Sequence, residues 1–244
     1  MKITDCFWER ANLNRDVVEI VMWKSDSIAD LDFDVLEKKY NYIVIKTETN
    51  DAEKYCQLQS LGYVFIESQL SISKRINQFD MNDRLIKRMI KYSSIKMVTD
   101  EMELDKLLAL MTEEMFTTDR IYIDKNFGPQ WSLNRYRNWI KTEYERKTNL
   151  CWMIFNGEKV GFRLYKVVDG VYHGLLGGIF EEYQGKGLGM LTSLGGYLCS
   201  QNDSNIKKIE TKISSNNMEV LKLYNYLDFR IDNIHNVFVK VINN

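Results

Sequence analysis

Three glycines at alternating positions, Gly185, Gly187 and Gly189, stand between a strand-like stretch and a helix-like one, with Gln184 just ahead of them. Glycine reaches positive φ without steric cost and has no Cβ, so successive backbone N–H groups can converge on one anion. The start of a helix adds partial positive charge. The run Gln184-Gly185-Lys186-Gly187-Leu188-Gly189 therefore has the makings of a pyrophosphate site. Spacing narrows the kind. A Walker loop needs Gly-x-x-x-x-Gly-Lys-[Ser/Thr], whereas Lys186 is followed by Gly187 and Leu188. A dinucleotide fingerprint, Gly-x-Gly-x-x-Gly, would put glycine where Met190 stands, and it belongs to an early βαβ unit rather than a late one. The plain alternative is a glycine-rich turn that only joins strand to helix.

The spacing that remains is Gln-x-x-Gly-x-Gly over 184–189, with the apolar Ile179 five residues ahead of Gln184. Further on, Asn217-x-x-Val220-x-x-Leu223-Tyr224-x-x-Leu227-Asp228-Phe229 has helical periodicity. Together these segments resemble the acyl-CoA signature and the second motif of the GNAT superfamily of N-acetyltransferases, over roughly 95–241. Glu181 departs from the pattern, where many members have proline. So does Asp228, where a helix-ending glycine is customary; aspartate tolerates left-handed geometry better than most residues. Phe7-Trp8-Glu9, Asp119-Arg120-Ile121 and Arg135-Tyr136-x-x-Trp139-Ile140 resemble one branch, the TDP-fucosamine acetyltransferase-like enzymes. That branch acetylates the amino group of a nucleotide-linked deoxy sugar.

The resemblance implies an α+β (mixed α/β) fold, with a central mixed, splayed sheet flanked by helices and a smaller α/β domain before it. It implies acetyl-CoA as cofactor, released as CoA and held by Gly178, Ile179, Gln184, Gly185, Lys186, Gly187, Leu188, Gly189 and Asn217. The simplest chemistry is direct attack of a neutral amine on the thioester, with proximity supplying much of the rate. A backbone N–H near Gly178–Ile179 would serve the oxyanion. Tyr224 is the expected general acid, since a phenol near pKa about 10 can protonate a thiolate whose thiol sits near about 8.5. A packed helix aromatic is the bland alternative for it. His173 has a pKa range suited to the base, and a water chain, Glu181 or Glu182 are the competing assignments. Cys199 reads as core packing. For the acceptor, Arg120, Tyr122 and Tyr136 are the expected substrate-binding residues, with Arg135 beside them, because arginine suits phosphate and tyrosine can stack on a base or sugar. Trp131 and Trp139 read as packing anchors.

These residues need elements to hold them. Strand-like and helix-like stretches alternate throughout. Strands are expected at 17–23, 42–47 and 63–73, with helices at 28–39 and 51–61; a polar boundary follows at 75–94, with a helix from Asn82. Beyond it come a strand at 95–98, a helix at 103–115, an irregular stretch at 119–129 and a helix at 133–146. Strands at 151–155, 160–168 and 171–180 are joined by the turns Asn156-Gly157 and Asp169-Gly170. After the glycine loop and its helix come a strand at 206–213, a helix at 217–227 and a strand at 229–241. The expected domains are 1–80, small and α/β, and 95–244, which carries acyl-CoA binding and catalysis. A shift of 166 residues places 42–74 on 208–240 and matches Ile43, Lys46, Asn50, Glu53, Leu61 and Lys74 with identical residues. The segment 1–80 thus reads either as a partial GNAT-like repeat without its chemistry or as a chance match of two strand–helix–strand units.

Bulk properties set the outer limits. The 244 residues allow a sizeable core, and 45% apolar with 27% charged residues is an ordinary globular balance. The net charge of -1 gives no reason to expect nucleic acid as partner, and no apolar run approaches a membrane span. Four scattered cysteines without a Cys-x-x-Cys pair, and no secretion signal, suggest reduced thiols in a cytoplasmic protein. With only His173 and His235 besides, no metal site is expected. The expected partner is a small-molecule amine, and a homodimer is the assembly to look for.

Overall fold

The computed structural model describes residues 1–242. Its first part runs β1 (Lys2–Asp5), α1 (Glu9–Leu13), β2 (Val17–Met22), α2 (Phe33–Lys39), β3 (Tyr42–Glu48), α3 (Ala52–Ser60) and β4 (Val64–Arg75). Next come α4 (Arg84–Lys91), β5 (Ser93–Met97), α5 (Glu101–Ala109), α6 (Arg120–Ile123) and α7 (Pro129–Glu145). The chain finishes with β6 (Asn149–Phe155), β7 (Glu158–Val168), β8 (Val171–Ile179), α8 (Met190–Asn202), β9 (Lys208–Ser214), α9 (Met218–Tyr226) and β10 (Arg230–Val241).

All ten strands join one mixed sheet, in the order β1-β2-β3-β10-β4-β9-β8-β7-β6-β5. Among the described residues, only β2–β3 and β8–β9 pair in parallel. Local chemistry explains many boundaries. Asn156-Gly157 and Asp169-Gly170 both adopt positive φ at each residue, the two-residue turn that matches strand twist. The expected helix at 28–39 is instead a short 3-10 turn and then α2, because Asp32 caps a fresh helix by accepting from Val35 N. The irregular stretch at 119–129 contains α6, capped by Asp119 through Ile121 N. The helix expected from 133 starts earlier, at Pro129, a residue suited to a first helical turn. The strand β1 and the helix α1 have no counterpart in the sequence reading.

Helices cover both faces. On one, α4, α8 and α9 bury Ile86, Met89, Leu191, Leu194, Leu198 and Tyr224 against the sheet. On the other, α5 and α7 bury Leu107, Leu108, Leu133 and Ile140 against Trp152, Phe162 and Leu164. The boundary stretch at 75–94 is thus partly structural: α4 packs into the same core as α8.

The offset of 166 residues holds at both ends of every element in β3-α3-β4 and β9-α9-β10. The strand pairing repeats it as well. Gln69 opposes His235, and the pairs Arg230–Ser73 and Val239–Val64 fall symmetrically about that point. β3 lies on β10 in the register in which β9 lies on β4. The caps agree too, with Asp51 accepting from Lys54 N and Asn217 from Val220 N. Gly62 (φ 84) and Asp228 (φ 54) end the two helices in left-handed geometry. The four central strands are related by an approximate two-fold axis normal to the sheet.

Candidate active site

β8 pairs with β7 along its length to Ile179, but its parallel pairing with β9 stops at Gly174–Thr211. Beyond that point the two strands part, leaving the β9-facing edge of Leu175–Ile179 open. A register shift between Leu164 and Tyr165 marks a bulge at Leu175, at the closed end of this fork. Thr211 Oγ1 donates to Gly174 O across 2.9 Å and pins the fork shut there.

The glycine loop follows the open end. Gly185 (φ 72) and Gly187 (φ 75) are left-handed, and a Cβ at either would meet only open space. Gly189 is the residue ahead of α8, and no side chain caps that helix. Among the described residues, none of the N–H groups from Gly185 to Gly189 donates to a protein acceptor. Gln184 Nε2 donates to Ile179 O at 3.2 Å and ties the loop back to the strand. Leu188 is buried with the α8 core, and the Lys186 amine lies 5.1 Å from the Tyr183 ring centre. Free donors on left-handed glycines beside an uncapped helix suit an anion of pyrophosphate type.

A cleft of about 730 Å³ passes through the fork. Its lining residues come from both faces of the sheet: Met115, Phe116 and Tyr136 pack with α5 and α7, while Val220 and Tyr224 pack with α9. Two reactants could therefore meet from opposite sides. Tyr224 is 5% exposed, and its ring packs edge-on against Phe229 at 4.7 Å. Its hydroxyl makes no hydrogen bond among the described residues, and the residue lines the cleft. Asn217 accepts from Val220 N at 3.1 Å, capping the helix that carries Tyr224, and also lines the cleft. His173 is on the α7 face of β8, with Nδ1 3.5 Å from Glu210 Oε2.

The expected acceptor residues separate. Arg120 lines the cleft, its side chain 12% exposed and its Nε buried and unpaired among the described residues. Its guanidinium is 3.9 Å from Glu19, which burial pushes toward neutrality but Lys46 and Arg120 hold below the usual carboxylate range. Tyr136 also lines the cleft, but its hydroxyl donates to Asp119 at 2.8 Å and its ring stacks on Phe116. What it offers a ligand is the ring. Arg135 is committed to Glu9 at 2.7 Å. Tyr122 is not among the residues lining the cleft. Gly178 and Ile179 belong to the open edge of β8, and Cys199 is buried in the α8 core.

Other contributors had no signal in the motifs. The first part of the chain supplies Glu19, Lys46, Glu67, Gln69 and Ser71 to the cleft. On the approximate two-fold, Glu19 occupies the place of His173, opposite Val44 as His173 is opposite Glu210. Arg163, on β7, is also in the lining and only 6% exposed. A charge in the middle of the apolar run Val160–Tyr165 could have flagged it.

No family model and no curated protein matches the chain. Solved structures do match in shape. A GCN5-related N-acetyltransferase from Sphaerobacter thermophilus is 11% identical with a TM-score of 0.56, over 83% of this chain and 60% of that one. A functionally unknown conserved protein from Staphylococcus epidermidis is 12% identical with a TM-score of 0.61, over 93% and 85%. A tandem GNAT protein from the clavulanic acid biosynthesis pathway is 9% identical with a TM-score of 0.51, over 86% and 66%. The chain thus spans about 60% of the first neighbour's length. At these identities the likeness speaks for architecture, and the architecture is the fold of the GCN5-related N-acetyltransferases.

Proposed function

We propose that the protein is an N-acetyltransferase that moves an acetyl group from acetyl-CoA to the amino group of a nucleotide-linked amino sugar. The observation that carries the reading is the fork with its loop. Unsatisfied N–H groups at Gly185–Gly189 suit the pyrophosphate, and the open edge of β8 at Leu175–Ile179 suits an extended amide-bearing arm. These residues fit the donor, which supplies the activated acyl carbon. Gln184 ties the loop back to Ile179, and Asn217 caps α9 beside the cleft.

The faces of the sheet divide the proton work. His173, on the α7 side, takes the amine proton, with Glu210 orienting its ring. Tyr224, on the α9 side, gives its proton to the departing sulfur. Arg120, which lines the cleft, serves an acceptor phosphate, and the Tyr136 ring offers a stacking surface. A second reading has one observation in its favour. Glu67 lines the cleft, is 6% exposed, and has no hydrogen bond or ion pair among the described residues, which suits a cationic acceptor such as a polyamine or an amine antibiotic.

A free-thiol release assay with acetyl-CoA separates the readings when run against nucleotide amino sugars, polyamines, amine antibiotics and peptide N-termini. Release with the nucleotide sugars is the expected outcome. Release with the simple or cationic amines alone would replace the acceptor. Saturable binding of acetyl-CoA with no release from any amine would reduce the protein to a binding module.

A further inference from the structure

Arg163 is the least expected group in the fork. Its guanidinium lies against β8 at the closed end, where a Cβ on Gly174 would come within 2.3 Å of Nη2 and a Cβ on Gly177 within 2.9 Å of Nη1. Gly195 of α8 clears its stem in the same way, at 3.2 Å from Cγ. Three glycines on two elements thus make room for one cation. Among the described residues no carboxylate lies within ion-pairing distance of it. Its one hydrogen bond is long, from Nε to the Tyr172 hydroxyl at 3.4 Å. Burial works against its charge, and the surrounding phenols of Tyr172 and Tyr224 outweigh that effect and push its pKa up.

A buried cation without a counter-charge is costly unless something in the working cycle supplies one. Place in the fold says what that is. The phosphate-binding loop is at the open end of the fork, so a thioester donor lying along β8 reaches Gly174–Gly177 with its acyl end. Arg163 alternates along β7 with Phe162 and Leu164, which pack under α5 and α7, so it faces α8 and α9, the side of Tyr224. His173 is on the opposite side.

We propose that Arg163 is a further catalytic residue, an electrostatic partner for the sulfur that leaves as CoA thiolate. This rests on the acyl-transfer reading. As the amine nitrogen bonds to the acyl carbon, the C–S bond breaks and its electron pair goes to sulfur. The amine proton goes to His173, and Tyr224 then protonates the sulfur to give CoA thiol. The neutral thioester gives the guanidinium no counter-charge, whereas the developing thiolate does. The interaction therefore strengthens on the way to the transition state, the condition for raising the rate rather than the affinity.

The test titrates the thiol of bound CoA by its ultraviolet thiolate absorbance, in wild type, Arg163→Met and Arg163→Lys. Expected is a bound thiol at least about one pH unit more acidic than the free thiol near about 8.5. Arg163→Met should lose that shift and Arg163→Lys keep part of it. Turnover of acetyl-CoA should fall about a hundredfold or more in Arg163→Met, with KM for the donor nearly unchanged. Arg163→Lys retains charge and stem, so it still answers the question if the methionine variant melts early. An identical thiol titration in wild type and Arg163→Met would overturn the role. So would unchanged acetyl turnover in Arg163→Met together with lost turnover of succinyl-CoA, which would make Arg163 a reader of acyl carboxylates. Failure of CoA to bind at all would sink the acyl-transfer reading itself.

Discussion

Tyr224 and Arg135 are held in opposite ways. The tyrosine hydroxyl has no protein partner among the described residues, so Tyr224→Phe should leave the melting temperature unchanged while lowering kcat by roughly 10²–10⁴-fold. Steady-state kinetics beside a thermal melt would check both halves, and an unchanged kcat would remove Tyr224 from the chemistry. Glu9 and Arg135 give the reverse case, an ion pair at 2.7 Å with side chains 5% and 19% exposed. Glu9 also accepts from Asn12 at 3.1 Å. Glu9→Ala leaves the Arg135 charge buried, at an expected cost of about 3–5 kcal/mol in urea unfolding. Legibility at this scale followed the motifs. Tyr224 and Asn217 could be placed together because their spacing is a property of one helix. Arg163 could be flagged as a charge in an apolar run, but the glycines that make room for it, Gly174, Gly177 and Gly195, are on other elements. Tyr136 was visible as a residue, but not the Asp119 carboxylate that occupies its hydroxyl.

Elements that depend on local chemistry were the most readable. The loop, the two Asn/Asp-Gly hairpins and the caps at Asp51 and Asn217 all follow from residue types at fixed offsets. The fork was expected through the resemblance alone, which implies a splayed sheet; it arises where parallel pairing of β8 with β9 ends while antiparallel pairing with β7 goes on. That is a relation among three strands, and no single stretch of sequence carries it. Two tests belong to this scale. Asn217→Ala removes a cap and should cost about 1 kcal/mol of stability, and it should lower kcat as the helix under Tyr224 frays. Gly187→Ala puts a side chain at φ 75, where the space is open but the backbone is unfavourable by about 1–2 kcal/mol. Its melting temperature should fall by a few degrees while its donor affinity falls further; a fall in the melt alone would argue against the loop as the binding element.

At the scale of the whole molecule, the four central strands of the sheet are arranged about the approximate two-fold through Gln69 and His235. The 166-residue match in sequence is carried through elements, caps and register, which a chance likeness of two strand–helix–strand units does not require. We propose that the segment 1–80 is a partial GNAT-like repeat without the glycine loop, the 166-residue offset itself covering 42–75. The copy still has work to do, since it contributes Glu19, Lys46 and Glu67 to the cleft. β10, from the end of the chain, is seated between β3 and β4 from its beginning. Deleting 1–79 would leave β10 with neither neighbour and expose Val237, Phe238 and Val239. The fragment 80–244 should therefore fail to give a cooperative melt, and a well-folded monomeric fragment would show that the two parts are independent.

The claim on which the rest depends is that the loop and the fork hold an acyl-CoA. Isothermal titration of acetyl-CoA into the full chain, and into Gly187→Val, tests it without knowledge of the acceptor. The expected result is saturable binding at one site per chain, weakened at least about tenfold, or 1.4 kcal/mol, by the substitution. No saturable binding to the full chain, or equal affinity in the Gly187→Val protein, would contradict it.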